Sequence, residues 1–236
     1  MKFEYALQKG TLIKRYKRFL ADVELPSGEV VVAHCANSGS MLGCKEPGSA
    51  VWLSPNTNPK AKLNWRWEML EIDNALVGIN TSRPNAIVEE AILQGDISEL
   101  SGYASLKREV KYGAASRIDI LLEGPSIAGL ADKCYVEVKN VTLKVGEEAQ
   151  FPDSVTQRGT KHLCELMDMV AEGHRAVMVY LVQRGDCSSF APAVDIDKVY
   201  AETLGEAARA GVELLCYTCD LTTDSIKVAG TLPIRL

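Results

Sequence analysis

The segment from residue 117 to residue 140 decides the fold, because two strand-like runs there carry three charged residues in apolar surroundings. Residues 117–122 read RIDILL, and residues 134–140 read CYVEVKN. Both runs are rich in β-branched and apolar residues, and a turn bearing Gly124, Pro125 and Gly129 separates them. Side chains alternate between the two faces of a strand, so Glu137 and Lys139 share one face. If the runs pair as a hairpin, Asp119 joins them on that side.

These three side chains have the chemistry of a metal-dependent hydrolase. Two carboxylates, Asp119 and Glu137, can hold Mg²⁺ (or Mn²⁺), which keeps several waters and binds phosphate oxygens. Lys139 can orient the attacking water or neutralise the developing charge. Glu-X-Lys is also the ordinary alternation of an exposed strand face, and the residues alone leave both interpretations open. The pattern resembles the PD-(D/E)XK nuclease signature, except that Ile118 precedes the aspartate.

Length and composition indicate a water-soluble globular protein of one large or two modest domains. The chain has 236 residues, of which 47% are hydrophobic and 24% charged. We find no apolar run near the roughly 20 residues that a membrane helix needs, and the first residues lack the apolar core of a signal peptide. The seven cysteines are scattered and odd in number, which favours reduced thiols. We therefore expect a cytoplasmic protein without a membrane partner.

The net charge of −5 does not by itself favour nucleic acid as a partner, but the cations are clustered. Phosphate contact depends on local clusters rather than on the total charge. Two cations also lie near the amino end of a predicted helix, where the helix dipole favours phosphate. The alternative is that these residues are solvated faces, or ion pairs within the helix. The predicted nucleic-acid contacts are Lys14, Arg15, Tyr16, Lys17, Arg18, Arg158 and Lys161.

The order of predicted elements divides the chain into residues 1–80 and residues 81–236. The first part has five short strands, at 16–25, 29–34, 50–53, 65–72 and 75–79, which suggests an OB-like β-barrel. Such barrels bind single strands with basic grooves and stacking aromatics. The second part has helices at 85–94, 154–172 and 195–210, with strands at 106–112, in the two runs above, at 175–182 and at 212–217. A capping box from Ser154 to Gln157 opens its middle helix, and residues 144–152 are a predicted loop. This is a mixed α/β (α+β) pattern, and its helix, three strands, helix, strand order matches the PD-(D/E)XK nuclease core.

Longer segments resemble the bacterial sugar fermentation stimulation protein A family over nearly the whole chain. The matching segments are residues 15–23, 34–44, 99–103, 109–113, 117–119, 137–143 and 151–163. The resemblance implies an OB-like amino-terminal domain, a nuclease-like carboxy-terminal domain, and non-specific DNA binding linked to regulation of maltose and other sugar metabolism. It also implies a catalytic set of Asp119, Glu137 and Lys139, with Glu90 on the preceding helix as a fourth member.

Three functions follow as hypotheses. The first is a Mg²⁺-dependent nuclease that acts on DNA or RNA. The second is a catalytically silent DNA-binding regulator of transcription. The third is an enzyme acting on sugars. It ranks last, because Glu-X-Lys on a strand is not an arrangement that indicates a sugar-binding site. The sequence does not indicate an oligomeric state.

Overall fold

The structure is a computed structural model, and it describes residues 1–113, 116–125, 129 and 131–236. The turn predicted between Gly124 and Gly129 lies for the most part outside these residues. Within the described part of the chain, no helix is long and apolar enough to cross a membrane.

The amino-terminal part is an OB-like barrel. Its strands are β1 (Gln8–Tyr16), β2 (Leu20–Glu24), β3 (Val30–His34), β4 (Ala50–Pro55) and β5 (Trp65–Ile72), and β6 (Ala75–Gly78) extends the sheet beyond β5. The strand order is β3-β2-β1-β4-β5-β6, and a parallel contact between β3 and β5 closes the barrel. Leu12, Val23, Trp67 and Leu70 fill the interior. The expected barrel is confirmed.

Strand β1 is absent from the sequence prediction, which began the first strand at Tyr16. Only Gly10 and Leu12 of its nine residues are buried, so β1 shows little apolar alternation. Gly10 is needed there, because a Cβ atom at this position would lie 2.5 Å from Val23 Cγ1. As a result, the basic run from Lys14 to Arg18 covers the end of β1 and the turn into β2, rather than the start of a strand.

The carboxy-terminal part is a mixed α/β domain, as predicted. Its elements are α1 (Pro84–Gln94), β7 (Tyr103–Tyr112), β8 (Ser116–Pro125), β9 (Lys133–Val141), β10 (Leu143–Val145), β11 (Glu148–Phe151), α2 (Gln157–Ala171), β12 (Arg175–Val182), β13 (Ser189–Pro192), α3 (Lys198–Ala210), β14 (Glu213–Leu221) and β15 (Ile226–Thr231). The main sheet has the order β15-β14-β12-β9-β8-β7. Strands β7, β8 and β9 are antiparallel, whereas β12 runs parallel to both β9 and β14.

Two hydrophobic cores cover the two faces of this sheet. Helix α1 packs on one face, where Val136 and Val138 of β9 point. Helices α2 and α3 pack on the other face, with Tyr135 of β9 and Tyr180 of β12. Strands β9 and β12 are therefore buried on both sides, which explains the near-continuous apolar sequence of β12.

Several predicted boundaries are wrong in detail. The expected capping box at Ser154 is not used; instead Thr156 accepts the hydrogen bond from Gly159 N and caps α2. The expected loop at 144–152 contains strands β10 and β11, which form a small sheet with β13. Helix α3 begins at Lys198, because the Asp197 side chain caps it. Strand β15 follows the strand that was expected to be last.

Candidate metal and catalytic site

Strands β8 and β9 pair through Ile120 and Val136, and this register brings Asp119 beside the middle of β9. Asp119 Oδ2 accepts a hydrogen bond from Val138 N at 2.8 Å. Its other oxygen accepts one from Asn85 Nδ2 on α1, also at 2.8 Å. The Asp119 carboxylate is thus fixed by one strand and one helix.

Glu137 lies almost fully buried at the centre of the site, with 2% of its surface exposed. Lys139 Nζ donates to Glu137 Oε1 at 2.7 Å, and His162 Nδ1 hydrogen-bonds the same oxygen. Arg158 Nε donates to His162 Nε2 at 3.3 Å. Because Nε2 accepts, the ring proton sits on Nδ1, which therefore donates to Glu137. Glu137 Oε2 is buried and has no hydrogen-bond partner.

The two carboxyl groups have pKa values shifted in opposite directions. Burial would raise the pKa of Glu137, but Lys139 and His162 outweigh burial and lower it. Burial and the charge of Glu137 raise the pKa of Asp119, and only part of this is offset by its hydrogen bonds with Val138 and Asn85. Two nearby carboxylates disfavour each other's ionisation, and a cation between them would relieve this repulsion.

The donor atoms fit a hard divalent cation. Glu137 Oε2 is an unpartnered carboxylate oxygen, and Asp119 belongs to the same cleft. No group of three or more His, Cys, Asp or Glu side chains suited to a metal occurs among the described residues. A bound ion would therefore rely on two carboxylates and retain water, as Mg²⁺ commonly does.

The site opens into a cleft of about 500 Å³ whose walls come from both domains. The barrel contributes Arg18 and the segment 37–39, while α2 contributes Arg158 and His162. Contacts with Asp153 fix the barrel segment against the α/β domain. Ser40 Oγ donates to the Asp153 carbonyl oxygen at 2.6 Å, and Met41 N donates to its carboxylate at 2.8 Å.

Six of the predicted site residues are not among those that line the cleft: Glu90, Lys161, Lys14, Arg15, Tyr16 and Lys17. Glu90 pairs with the amino group of Met1 at 2.5 Å and is not among the residues that line the cleft. Asn85, about one and a half turns earlier on α1, is the helix residue that contacts Asp119. Lys161 also lies outside the lining, where it donates to Ser116 Oγ at 3.1 Å and pairs with Glu165 at 3.4 Å.

The members of the basic run have different surroundings. Lys14 pairs with Asp22 at 3.4 Å, and Tyr16 donates to the same carboxylate at 2.9 Å. Arg15 donates to the carbonyl oxygens of residues 37 and 39, and Arg18 donates to that of residue 38. The two arginines therefore hold the barrel segment that forms a wall of the cleft. Lys17 is exposed in the turn.

His162 and Asn85 were not among the predicted site residues. His162 lies on the buried side of α2 next to Leu163, and a histidine on the apolar face of an amphipathic helix was the available signal. Asn85 follows Pro84 at the start of α1, where the sequence gives no sign of its contact with Asp119.

The protein thus has two domains, an OB-like barrel and a mixed α/β domain. The cleft between them contains two carboxylates and a lysine and is a candidate metal site. The chain belongs to the sugar fermentation stimulation protein family. The family's amino-terminal OB domain matches residues 13–79, and its "Sugar fermentation stimulation protein RE domain" matches residues 82–225.

The similarity to other proteins extends over the whole chain. A sugar fermentation stimulation protein homolog of Paramagnetospirillum magneticum is 58% identical over 236 residues, covering 100% of this chain and 98% of that protein. A homolog of Geobacter sulfurreducens is 53% identical, covering 97% and 96% of the two chains. A solved structure, that of Pyrococcus furiosus SfsA in complex with Ca²⁺, is 27% identical with a TM-score of 0.89, covering 100% of this chain and 98% of that one.

Proposed function

We propose that this protein is a divalent-metal-dependent phosphodiesterase that acts on nucleic acid, within a family named for the stimulation of sugar fermentation. The observation that carries the proposal is the buried, unpartnered Glu137 Oε2 in a cleft that also contains Asp119 and Lys139. A buried carboxylate oxygen without a partner is costly in a folded protein unless a ligand satisfies it.

Each side chain of the site would have a distinct role in hydrolysis. Asp119 and Glu137 would hold Mg²⁺ or Mn²⁺, which when bound would polarise the phosphate and acidify a bound water. Lys139 lies beside Glu137 and can orient the attacking water or stabilise negative charge on the phosphate. His162 positions Glu137, and Arg158 and Arg18 supply cations to phosphates in the cleft.

Two further observations support this proposal. Apart from the short strands β10 and β11, the element order from α1 through β7, β8 and β9 to α2 and β12 matches the order expected for PD-(D/E)XK nucleases. The similar Pyrococcus furiosus protein is described as a complex with Ca²⁺, a cation that also prefers carboxylate oxygens.

The test is hydrolysis of labelled DNA and RNA, single-stranded and duplex, with Mg²⁺, Mn²⁺ or chelator. We expect cleavage that needs the cation and that is lost in Asp119→Asn. Cleavage that persists in chelator, or that Asp119→Asn retains, would reject the assigned site.

The second candidate is a protein that binds DNA without cutting it and regulates genes of sugar metabolism, including maltose genes. The direct pair between Lys139 and Glu137 favours it, because that pair partly neutralises the carboxylate without any metal. This candidate predicts no hydrolysis of any nucleic acid with any cation, together with binding that weakens steeply as salt rises.

A further inference from the structure

A second concave site lies on the barrel, directly beside the cleft. We call it the barrel pocket and define it by six of its lining residues: His34, Asn56, Lys62, Leu63, Arg66 and Ser82. Its volume is about 490 Å³, similar to that of the cleft. Each volume lies in the range of sites that enclose one small ligand.

The two sites adjoin each other at two short segments of the chain. Ala36 and Ser82 line the barrel pocket, whereas the adjacent residues Asn37 and Thr81 line the cleft. Thr81 N and Oγ1 both donate to the Ala36 carbonyl oxygen, at 3.0 and 2.6 Å, and so fasten the two segments into one ridge. Neighbouring residues along a chain are about 3.8 Å apart. The two sites are therefore close enough for one linear ligand to contact both.

The two sites differ in charge, and this difference determines how each one could bind a phosphate. The cleft contains the carboxylates Asp119 and Glu137, which need a cation before they accept phosphate. The residues lining the barrel pocket include Lys62 and Arg66 and no carboxylate. This pocket can therefore bind a phosphate directly.

The barrel pocket also offers surfaces on which a base can stack. The His34 ring is held against Phe19, with ring centroids 6.5 Å apart and an interplanar angle of 24°. Asn56 Oδ1 accepts from Arg66 Nη2 at 2.7 Å, which fixes the guanidinium plane. Leu63 adds apolar surface. Rings and guanidinium planes of this kind bind bases with little regard to sequence.

We propose that the barrel pocket is a nucleotide subsite, and that the protein takes a single-stranded nucleic acid that crosses the ridge, with one nucleotide in this pocket and a neighbouring phosphate in the cleft. The inference rests on the proposed function in one respect, the phosphate in the cleft. Two small sites on either side of a ridge fit a flexible single strand, whereas a rigid duplex cannot enter both.

The test is binding of fluorescently labelled oligonucleotides to the full-length protein by anisotropy, in Ca²⁺. Lys62→Glu should weaken binding of a single-stranded hexanucleotide by about tenfold. The matched control Lys198→Glu makes the same charge change on α3, at a side chain 74% exposed, and should bind as the wild type does. His34→Ala should also weaken binding, and this second variant tests stacking separately from charge.

Two comparisons complete the experiment. The hexanucleotide should bind the wild type more tightly than a dinucleotide, and Lys62→Glu should reduce this difference. A duplex of the same sequence should bind more weakly than the single strand. Equal binding by Lys62→Glu and Lys198→Glu, or tighter binding of the duplex, would overturn the inference. Absence of cleavage in Mn²⁺ would reject only the proposed phosphodiesterase, because the binding measurements need no hydrolysis.

Discussion

His162 donates its Nδ1 proton to Glu137 Oε1, and this hydrogen bond decides which oxygen of Glu137 remains available. Arg158 fixes the tautomer by donating to Nε2 of the same ring. With Oε1 shared between His162 and Lys139, Oε2 is the oxygen left for a ligand. The imidazole thus acts on the candidate metal site by positioning Glu137.

The first prediction concerns this positioning role. His162→Ala should weaken Mn²⁺ binding by about 10- to 100-fold, the usual cost of losing a partner that orients a metal ligand. His162→Gln should restore much of the affinity, since its amide can donate to Glu137. Calorimetric titration with Mn²⁺ measures both variants, and Cys164→Ala, an exposed change on the same helix, is the control. Equal affinity in His162→Ala and Cys164→Ala would show that His162 does not position Glu137.

The second prediction uses the raised pKa of Asp119. In the absence of metal, folded Asp119 holds its proton to higher pH than the unfolded chain does. Its ionisation therefore costs stability as pH rises from the unfolded pKa through the folded pKa. Asp119→Asn removes this cost, so the metal-free variant should melt above the wild type at pH 7, and the difference should shrink toward pH 4.

Thermal unfolding in chelator measures this difference, and about 1 kcal/mol corresponds to roughly 2–4 °C in a chain of this size. Saturating Mg²⁺ should reduce or reverse the difference in melting temperature between the variant and the wild type, because only the wild type gains stability from binding the ion. A difference in melting temperature that does not change with pH would mean that Asp119 does not titrate as its surroundings indicate.

The third prediction concerns Lys139. Lys139→Ala should lower metal-dependent hydrolysis by at least about 100-fold, as expected for loss of one preorganised charge at a reacting phosphate. Folding should be retained, because His162 still binds Glu137. Lys107→Ala, which removes a lysine 60% exposed on the neighbouring sheet edge, should keep full activity. Comparable hydrolysis rates for the two variants would remove Lys139 from the mechanism.

The fourth prediction separates two cations of the basic run. Arg18 lines the cleft, whereas Lys14 pairs with Asp22. Arg18→Ala should weaken binding of DNA of any sequence and reduce the slope of log K against log salt by about 1. Lys14→Ala should change both quantities less. If the larger change belonged to Lys14, nucleic acid would approach the barrel from the Asp22 side and not through the cleft.

The sequence could predict the central hairpin, because β-branched residues and alternation place Asp119, Glu137 and Lys139 on neighbouring strands regardless of the rest of the fold. His162 and Asn85 could not be predicted in the same way. Each lies on a helix, and its contact with an acidic residue depends on how that helix packs across the sheet. Strand β1 was missed for a different reason: only Gly10 and Leu12 of its nine residues are buried, so its sequence carries little apolar pattern.

The fifth prediction concerns the joint between the domains, where Arg83 at the start of α1 meets Glu68 of β5. Glu68 has 1% of its surface exposed, and Arg83 donates to its two oxygens at 3.0 and 2.6 Å. Ser54 and Asn80 donate to the same carboxylate, at 2.7 and 2.8 Å. Removing the arginine alone leaves a buried charge without its counter-ion.

Arg83→Ala should therefore lower the free energy of unfolding by about 3–5 kcal/mol. The double variant Glu68→Met with Arg83→Met should lose less, because no buried charge remains. Urea denaturation measures both, and Arg117→Ala, an exposed arginine on β8, should stay within about 0.5 kcal/mol of the wild type. A loss in Arg83→Ala no larger than that in Arg117→Ala would mean that water replaces the guanidinium, and that the barrel and the α/β domain are held together by their apolar contacts instead.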